Sequence, residues 1–216
     1  MPPYITIAQD GEYEFVEKKS RFICHMARVT SDDDAQAFIT EIKKKHYKAN
    51  HNVAAYVLGD HDEVQRAFDD GEPTGTAGVP MLQVIQQMGL KDVVAVTTRY
   101  FGGIKLGAGG LIRAYANSVS ETAHHIGLVE RRLQKAISLQ ITYPQLGTVQ
   151  NFLEQANQPI ENIAYTDTVT VQLFVDADRV ATLEADLTDR LNGQVTIEIG
   201  ADSYREVPFD TKSEPQ

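Results

Sequence analysis

The chain has 216 residues, 42% of them hydrophobic and 23% charged, with a formal net charge of −10. That balance fits one or two globular domains and excludes a disordered chain. The acidity, net −4 over residues 1–130 and net −6 over residues 131–216, excludes a generic electrostatic nucleic-acid binder and leaves only a local basic patch for that role.

Residues 1–12 carry no periodic pattern and are expected to form a loose lead-in. Residues 12–18 and 21–29 predict two strands, a hairpin turned at Lys19-Ser20. Cys24, the single cysteine, lies in the second of them, which predicts a buried thiol. With one cysteine, neither an intrachain disulfide nor a cysteine-based zinc site can form. Ser31 or Asp32 caps a helix running to Lys45, with Asp33 and Asp34 in its first turn and Lys43, Lys44 and Lys45 in its last, both favourable to the helix dipole. Residues 51–58 predict a strand, residues 59–65 a polar turn and residues 66–68 a short strand.

A glycine-rich turn follows, DDGEPTGTAG. Thr74 or Thr76 is placed to cap a helix over residues 77–88, with Pro80 in its first turn. Residues 93–98 are apolar in succession and predict a central strand. A second glycine-rich turn, RYFGGIKLGAGG, opens a helix in which Leu111, Tyr115, Val119 and Ile126 follow helical spacing. This half is expected to be one sheet with helices covering one face. Residues 128–134 predict a short charged connection or a last strand.

The second half predicts a strand over 135–143, a helix from Pro144 to Ala156, strands over 160–165 and 169–175, a helix over 176–192 ended by Gly193, and a strand over 195–201. That order, βαββαβ, is the ferredoxin-like one. The expected organisation is an α+β chain with one domain over residues 1–130, a ferredoxin-like domain over 131–207 and a disordered tail over 208–216.

Chemistry concentrates between residues 69 and 115. A glycine turn that opens a helix presents free amides and partial positive charge, a geometry suited to an anion such as phosphate. The candidate ligand- or nucleic-acid-binding residues are Asp69, Asp70, Glu72, Thr74 and Thr76 in the first turn and Arg99, Tyr100, Gly102, Gly103, Lys105, Gly107, Gly109 and Arg113 in and after the second. Asp69, Asp70 and Glu72 suggest a cation site or an acid–base pair. The alternative is a turn in which Asp caps backbone amides and Glu72 pairs with an arginine, for which Arg99 is the natural partner. Packing of helices onto a sheet would also explain the glycines. Neither turn matches a P-loop or a dinucleotide fingerprint, and the six histidines form no metal motif. No nucleophile–base spacing stands out, so no catalytic residue, metal or cofactor is assigned. Lys18, Lys19, Arg21, Lys43, Lys44, Lys45 and Lys48, with His46 and Tyr47, form either a basic RNA-facing patch or a solvated helix end. Phe174 and Tyr165 are expected in core or interface. The lack of a leader pattern and of any run near ~18 apolar residues predicts a soluble, cytoplasmic chain with no membrane partner.

The segments DDGEPTGTAGVPML and RYFGGIKLGAGGLIRAY, with KKSRFI and AAYVLG upstream, closely resemble the YigZ/IMPACT family of translation-associated proteins. The resemblance implies a ribosomal protein S5 domain 2-like fold for the first half and an arrangement similar to the fourth and fifth domains of elongation factor G. It also implies a regulatory protein that binds RNA, the ribosome or a translation-factor partner, with no chemistry of its own. In the eukaryotic branch, which modulates a stress kinase through a scaffold, an additional N-terminal domain is present, so that connection is not carried over. The rival readings are a phospholigand-binding enzyme or sensor built on the two glycine turns, and a protein-binding adaptor.

Overall fold

A computed structural model describes residues 3–209. The chain is α+β and separates into two compact units: residues 3–131 with 206–209, and Arg132–Arg205. Two long strands, β7 (Leu128–Ile141) and β10 (Thr196–Phe209), contain residues of both.

In the first unit, β2 (Gly11–Glu17), β3 (Ser20–Arg28), β4 (His51–Leu58), β5 (Val64–Phe68) and β6 (Val93–Tyr100) form a sheet ordered β2-β3-β6-β4-β5, antiparallel throughout. The lead-in expected to be loose instead holds a strand, β1 (Tyr4–Ile7), paired with the start of β7. Its Ile7 is fully buried, so apolar burial decides the matter where local pattern was silent.

Side chains alternate across a strand, and the sheet uses both faces. Phe22, Cys24, Met26, Val53, Ala55, Val57, Val93 and Ala95 pack against α2 (Gly78–Gln87) and α3 (Ala108–Ile126). Ala27, Ala54, Tyr56, Val94 and Val96 pack against α1 (Asp32–Lys45) on the opposite side. The expectation of helices on one face only is therefore corrected. The central strands β4 and β6 are apolar at successive positions because both of their faces are covered. Burial pushes the Cys24 thiol pKa up, leaving it an inert core group.

Local signals act as anticipated at α1, where the Ser31 hydroxyl accepts from the Asp34 amide. At α2 they do not. Neither threonine caps it: Thr76 donates to the Pro73 carbonyl, and the Asp69 carboxylate accepts from the amides of Gly75, Ala77 and Gly78.

In the second unit, β7 continues without the break expected after residue 134, and Gln134 to Ile141 pair with a later antiparallel strand in one ladder. A 3-10 turn at Tyr143–Gln145 leads into α4 (Leu146–Gln155), then β8 (Asn162–Tyr165), β9 (Val169–Asp176) and α5 (Val180–Arg190). The strand order is β10-β7-β9-β8. Ile137, Leu139, Leu153, Val171, Leu173, Val175 and Leu187 form the core. Phe174 lies half-buried under the Arg205 guanidinium, 3.5 Å from its ring centre, whereas Tyr165 is exposed and does not belong to the core. Pro208 and Phe209, expected in a disordered tail, belong to β10; residues 210–216 lie outside the described residues.

Gly102 fixes how the second glycine turn meets the β2–β3 hairpin: a Cβ there would lie 2.0 Å from the Lys19 carbonyl. Gly102→Ala is expected to destabilise by about 1–3 kcal/mol through overpacking. Gly109→Ala, where a Cβ meets nothing within 4 Å inside α3, is expected to stabilise by up to about 1 kcal/mol. Thermal unfolding of the two variants checks the contrast.

Candidate functional site

The site grows from strand parity. On β6, residues 93, 95, 97 and 99 face α3, and residues 94, 96, 98 and 100 face α1. Arg99 and Tyr100, neighbours in sequence and both candidates, are thereby sent to opposite sides of the sheet.

On the α3 side Arg99 is buried, and its Nη1 donates to Glu72 Oε1 at 2.6 Å. The Tyr115 hydroxyl of α3 donates to the same oxygen at 2.7 Å. Both partners of the ion pair are nearly sealed, with side chains 7% and 3% exposed. Burial, then the adjacent carboxylate, pushes the Tyr115 pKa far above its ordinary value, so the phenol stays a donor. His51 stands opposite Arg99 on β4. Its Nδ1–H donates to the Asp70 carbonyl, and its Nε2 lies 3.8 Å from Glu72. Asp70 is spent on the Lys43 ammonium and the Asn52 amide, and Asp69 on capping α2. Among the described residues no cluster of three His, Cys, Asp or Glu side chains is arranged to hold a metal ion.

Over this pair opens a cleft of about 440 Å3. Glu72, Arg99, Lys105 and Gly107 line it, as do Asn50, His51, Pro73, Phe101, Leu106, Ala108 and Leu111, which the sequence did not single out as site residues. The amide of Phe101 donates to Asn50 Oδ1, holding the mouth of the second glycine turn. Lys105 is exposed and makes no ion pair among the described residues. Of the other candidates, Thr74, Gly103, Gly109 and Arg113 are exposed but do not line the cleft, Gly102 packs on Lys19, and Thr76 is held inside the first turn.

Tyr100 belongs to a different assembly on the α1 side. Its hydroxyl lies 3.0 Å from His46 Nδ1, His46 Nε2 lies 2.9 Å from His25 Nε2, and His25 Nδ1 lies 2.9 Å from Glu12. The carboxylate can only accept, so His25 donates from Nδ1, His46 donates to His25, and Tyr100 donates to His46; both rings are neutral. Lys45 also pairs with Glu12, and Arg21 pairs with Glu14. Three cations of the proposed basic patch, Arg21, Lys43 and Lys45, are therefore matched by carboxylates.

These features describe a two-unit α+β protein with a cation-bearing cleft above a buried ion pair. Its sequence matches two family descriptions: the Impact N-terminal domain over residues 18–123 and a domain of unknown function, DUF1949, over residues 139–194. It is 48% identical over 203 residues to the IMPACT family member YvyE of Bacillus subtilis, covering 94% of each chain. It is 35% identical over 182 residues to the IMPACT family member YigZ of Escherichia coli, covering 83% of this chain and 89% of that one. The chain belongs to the IMPACT family. A Dictyostelium discoideum protein named Protein IMPACT homolog matches 57% of this chain at 33% identity, over 35% of its own length. A crystal structure described as a hypothetical protein is similar at 33% identity and a TM-score of 0.58, covering 91% of this chain and 97% of that one.

Two outcomes test this geometry. Glu72→Ala leaves the Arg99 charge buried and unpaired and is expected to cost about 3–5 kcal/mol, whereas Glu72→Leu combined with Arg99→Met recovers most of that loss. Chemical denaturation of both variants checks it. Separately, burial, reinforced by the nearby Lys45 charge, lowers the His25 pKa to about 4 from an ordinary 6.5. The unfolded chain then binds more protons than the folded one between those values. Stability is complete above pH 6.5 and falls as pH drops toward 4. An NMR titration should give His25 a midpoint near 4; a midpoint at the ordinary value would refute the arrangement.

Proposed function

We propose that this chain is a translation-associated regulatory protein that binds RNA, the ribosome or a translation-factor partner through the cleft between its glycine turns. The cleft carries this reading. In a molecule of net charge −10, it brings Lys105 and the amino end of α3 together above an Arg99 charge that Glu72 balances. Positive potential focused in a concave site draws an anionic partner even when the whole protein is acidic.

The reading includes no chemistry of its own. Glu72 is engaged by Arg99 and Tyr115, and the His51 Nδ1–H by the Asp70 carbonyl, so the groups suited to proton transfer are spent on one another. The likeness to relatives named IMPACT, in bacteria and in Dictyostelium, supports a regulatory role. We further propose an S5 domain 2-like fold for residues 1–130 and a ferredoxin-like fold for residues 131–207, the latter supported by the strand order β10-β7-β9-β8. A cytoplasmic location follows from the same reading. Among the described residues no helix is long and apolar enough to cross a membrane.

Co-sedimentation with ribosomes at low and high salt tests the reading. The protein is expected to pellet with ribosomes at low salt, and Lys105→Glu to abolish this without lowering the melting temperature. Equal co-sedimentation of the variant would remove the cleft from the binding surface.

A further inference from the structure

The three longest helices of the first unit begin differently. Ser31 caps α1 and Asp69 caps α2, but α3 starts after Gly107, which sits at φ 76° and offers no side-chain cap. The first amides of a helix have no intrahelical acceptor and together carry about half a positive charge. Gly107 and Ala108 line the cleft, so this end faces the space above the buried ion pair.

A helix end alone defines no ligand. The second observation is Arg99, which lines the same cleft. Its side chain is 7% exposed, its Nη1 is held by Glu72, and its Nε–H is buried with no acceptor. An orphaned donor on a buried cation is an unfavourable arrangement that an incoming acceptor relieves. Glu72 and Arg99 cancel each other in charge, so Lys105 and the helix end set the sign of the site. Three separate donor groups outnumber the oxygens of a carboxylate and match the three terminal oxygens of a phosphate monoester. Beside them the cleft is apolar. Phe101 is 45% exposed, with the Arg99 guanidinium 5.5 Å from its ring centre. Such a ring accepts a planar heterocycle by stacking.

We propose that this cleft is a subsite for a phosphate monoester attached to a planar, base-like group. The α3 amides and Lys105 take its oxygens, Arg99 supplies the buried donor, and Phe101 carries the ring. The proposal rests on the cleft being the binding surface, and it names what enters. The same chemistry is offered by a 5′-phosphorylated RNA end and by a free nucleoside monophosphate.

The test uses the full chain with AMP, adenosine, and a short RNA bearing either a 5′-phosphate or a 5′-hydroxyl. Binding is read by calorimetry and by amide NMR shifts at residues 107–111. Two variants spare the fold. Ala108→Pro removes one first-turn amide where proline is tolerated, and Lys105→Ala removes an exposed cation. AMP is expected to saturate, to shift those amides, and to lose about tenfold in affinity with either variant at an unchanged melting temperature. Tighter binding of the phosphorylated RNA than of AMP assigns the RNA end, and equal binding assigns the nucleotide; both support the subsite. Adenosine binding as well as AMP, or AMP binding untouched by both variants, overturns it. If AMP binding is absent while Lys105-dependent ribosome co-sedimentation persists, the subsite fails and the broader reading stands. AMP binding without co-sedimentation supports the subsite and overturns the translation role.

Discussion

The contact between Glu72 and Arg99 is the constraint on which the first unit's cleft depends. A carboxylate and a guanidinium both withdrawn from water carry a large desolvation penalty, and only close geometry with additional hydrogen bonds offsets it. Here Tyr115 supplies one such bond. The three residues come from the first glycine turn, β6 and α3, so one polar knot sets the spacing of three segments distant in sequence. Removing Glu72 or Arg99 would leave a buried charge unanswered, which is why the turn cannot drift away from the sheet. The cleft is the space left above that knot.

The sheet separates two kinds of polar chemistry. Toward α3 lie two full charges, opposed and nearly sealed from solvent. Toward α1 runs a chain of neutral donors and acceptors from Tyr100 through His46 and His25, ending on the Glu12 carboxylate that Lys45 also pairs. Because adjacent residues of a strand face opposite ways, two neighbouring polar positions on β6 serve unrelated environments. The basic residues at the end of α1 contribute to this second side mostly as partners: Lys43 answers Asp70 and Lys45 answers Glu12.

What the sequence disclosed follows from the range of the signal. α1 was readable because its cap, its acidic first turn and its basic last turn are all local. β4 was readable from its apolar run, and the partnership of Glu72 with Arg99 from complementary charge in a segment rich in turns. The capping of α2 by Asp69 was not readable, because the carboxylate acts from eight residues before the helix's N-cap while two nearer threonines offer a conventional alternative. Tyr115 sits at a core position of α3, and nothing in the periodicity shows that its hydroxyl reaches a carboxylate. His25 and His46 are 21 residues apart on a strand and at a helix end, a meeting fixed only by tertiary packing. His51 and Asn50 had no flag beyond their place at the start of β4, although the register that sets His51 against Arg99 would have exposed one of them. The strand at residues 4–7 is not legible in the sequence, because four residues paired to a distant strand leave little pattern of their own.

The first unit draws on two separated pieces of chain, with the whole of the second unit lying between them in sequence. Phe209 packs onto the first unit's core, and Glu206 pairs with Arg28 at 2.7 Å. During synthesis the amino-terminal portion therefore emerges before the piece that closes it, with residues 132–205 made in between. Until residue 209 leaves the exit tunnel, the Arg28 guanidinium lacks its carboxylate and the core lacks that ring. Completion of the earlier-made unit is thus deferred until the segment inserted within it has been made, so its maturation depends vectorially on that segment.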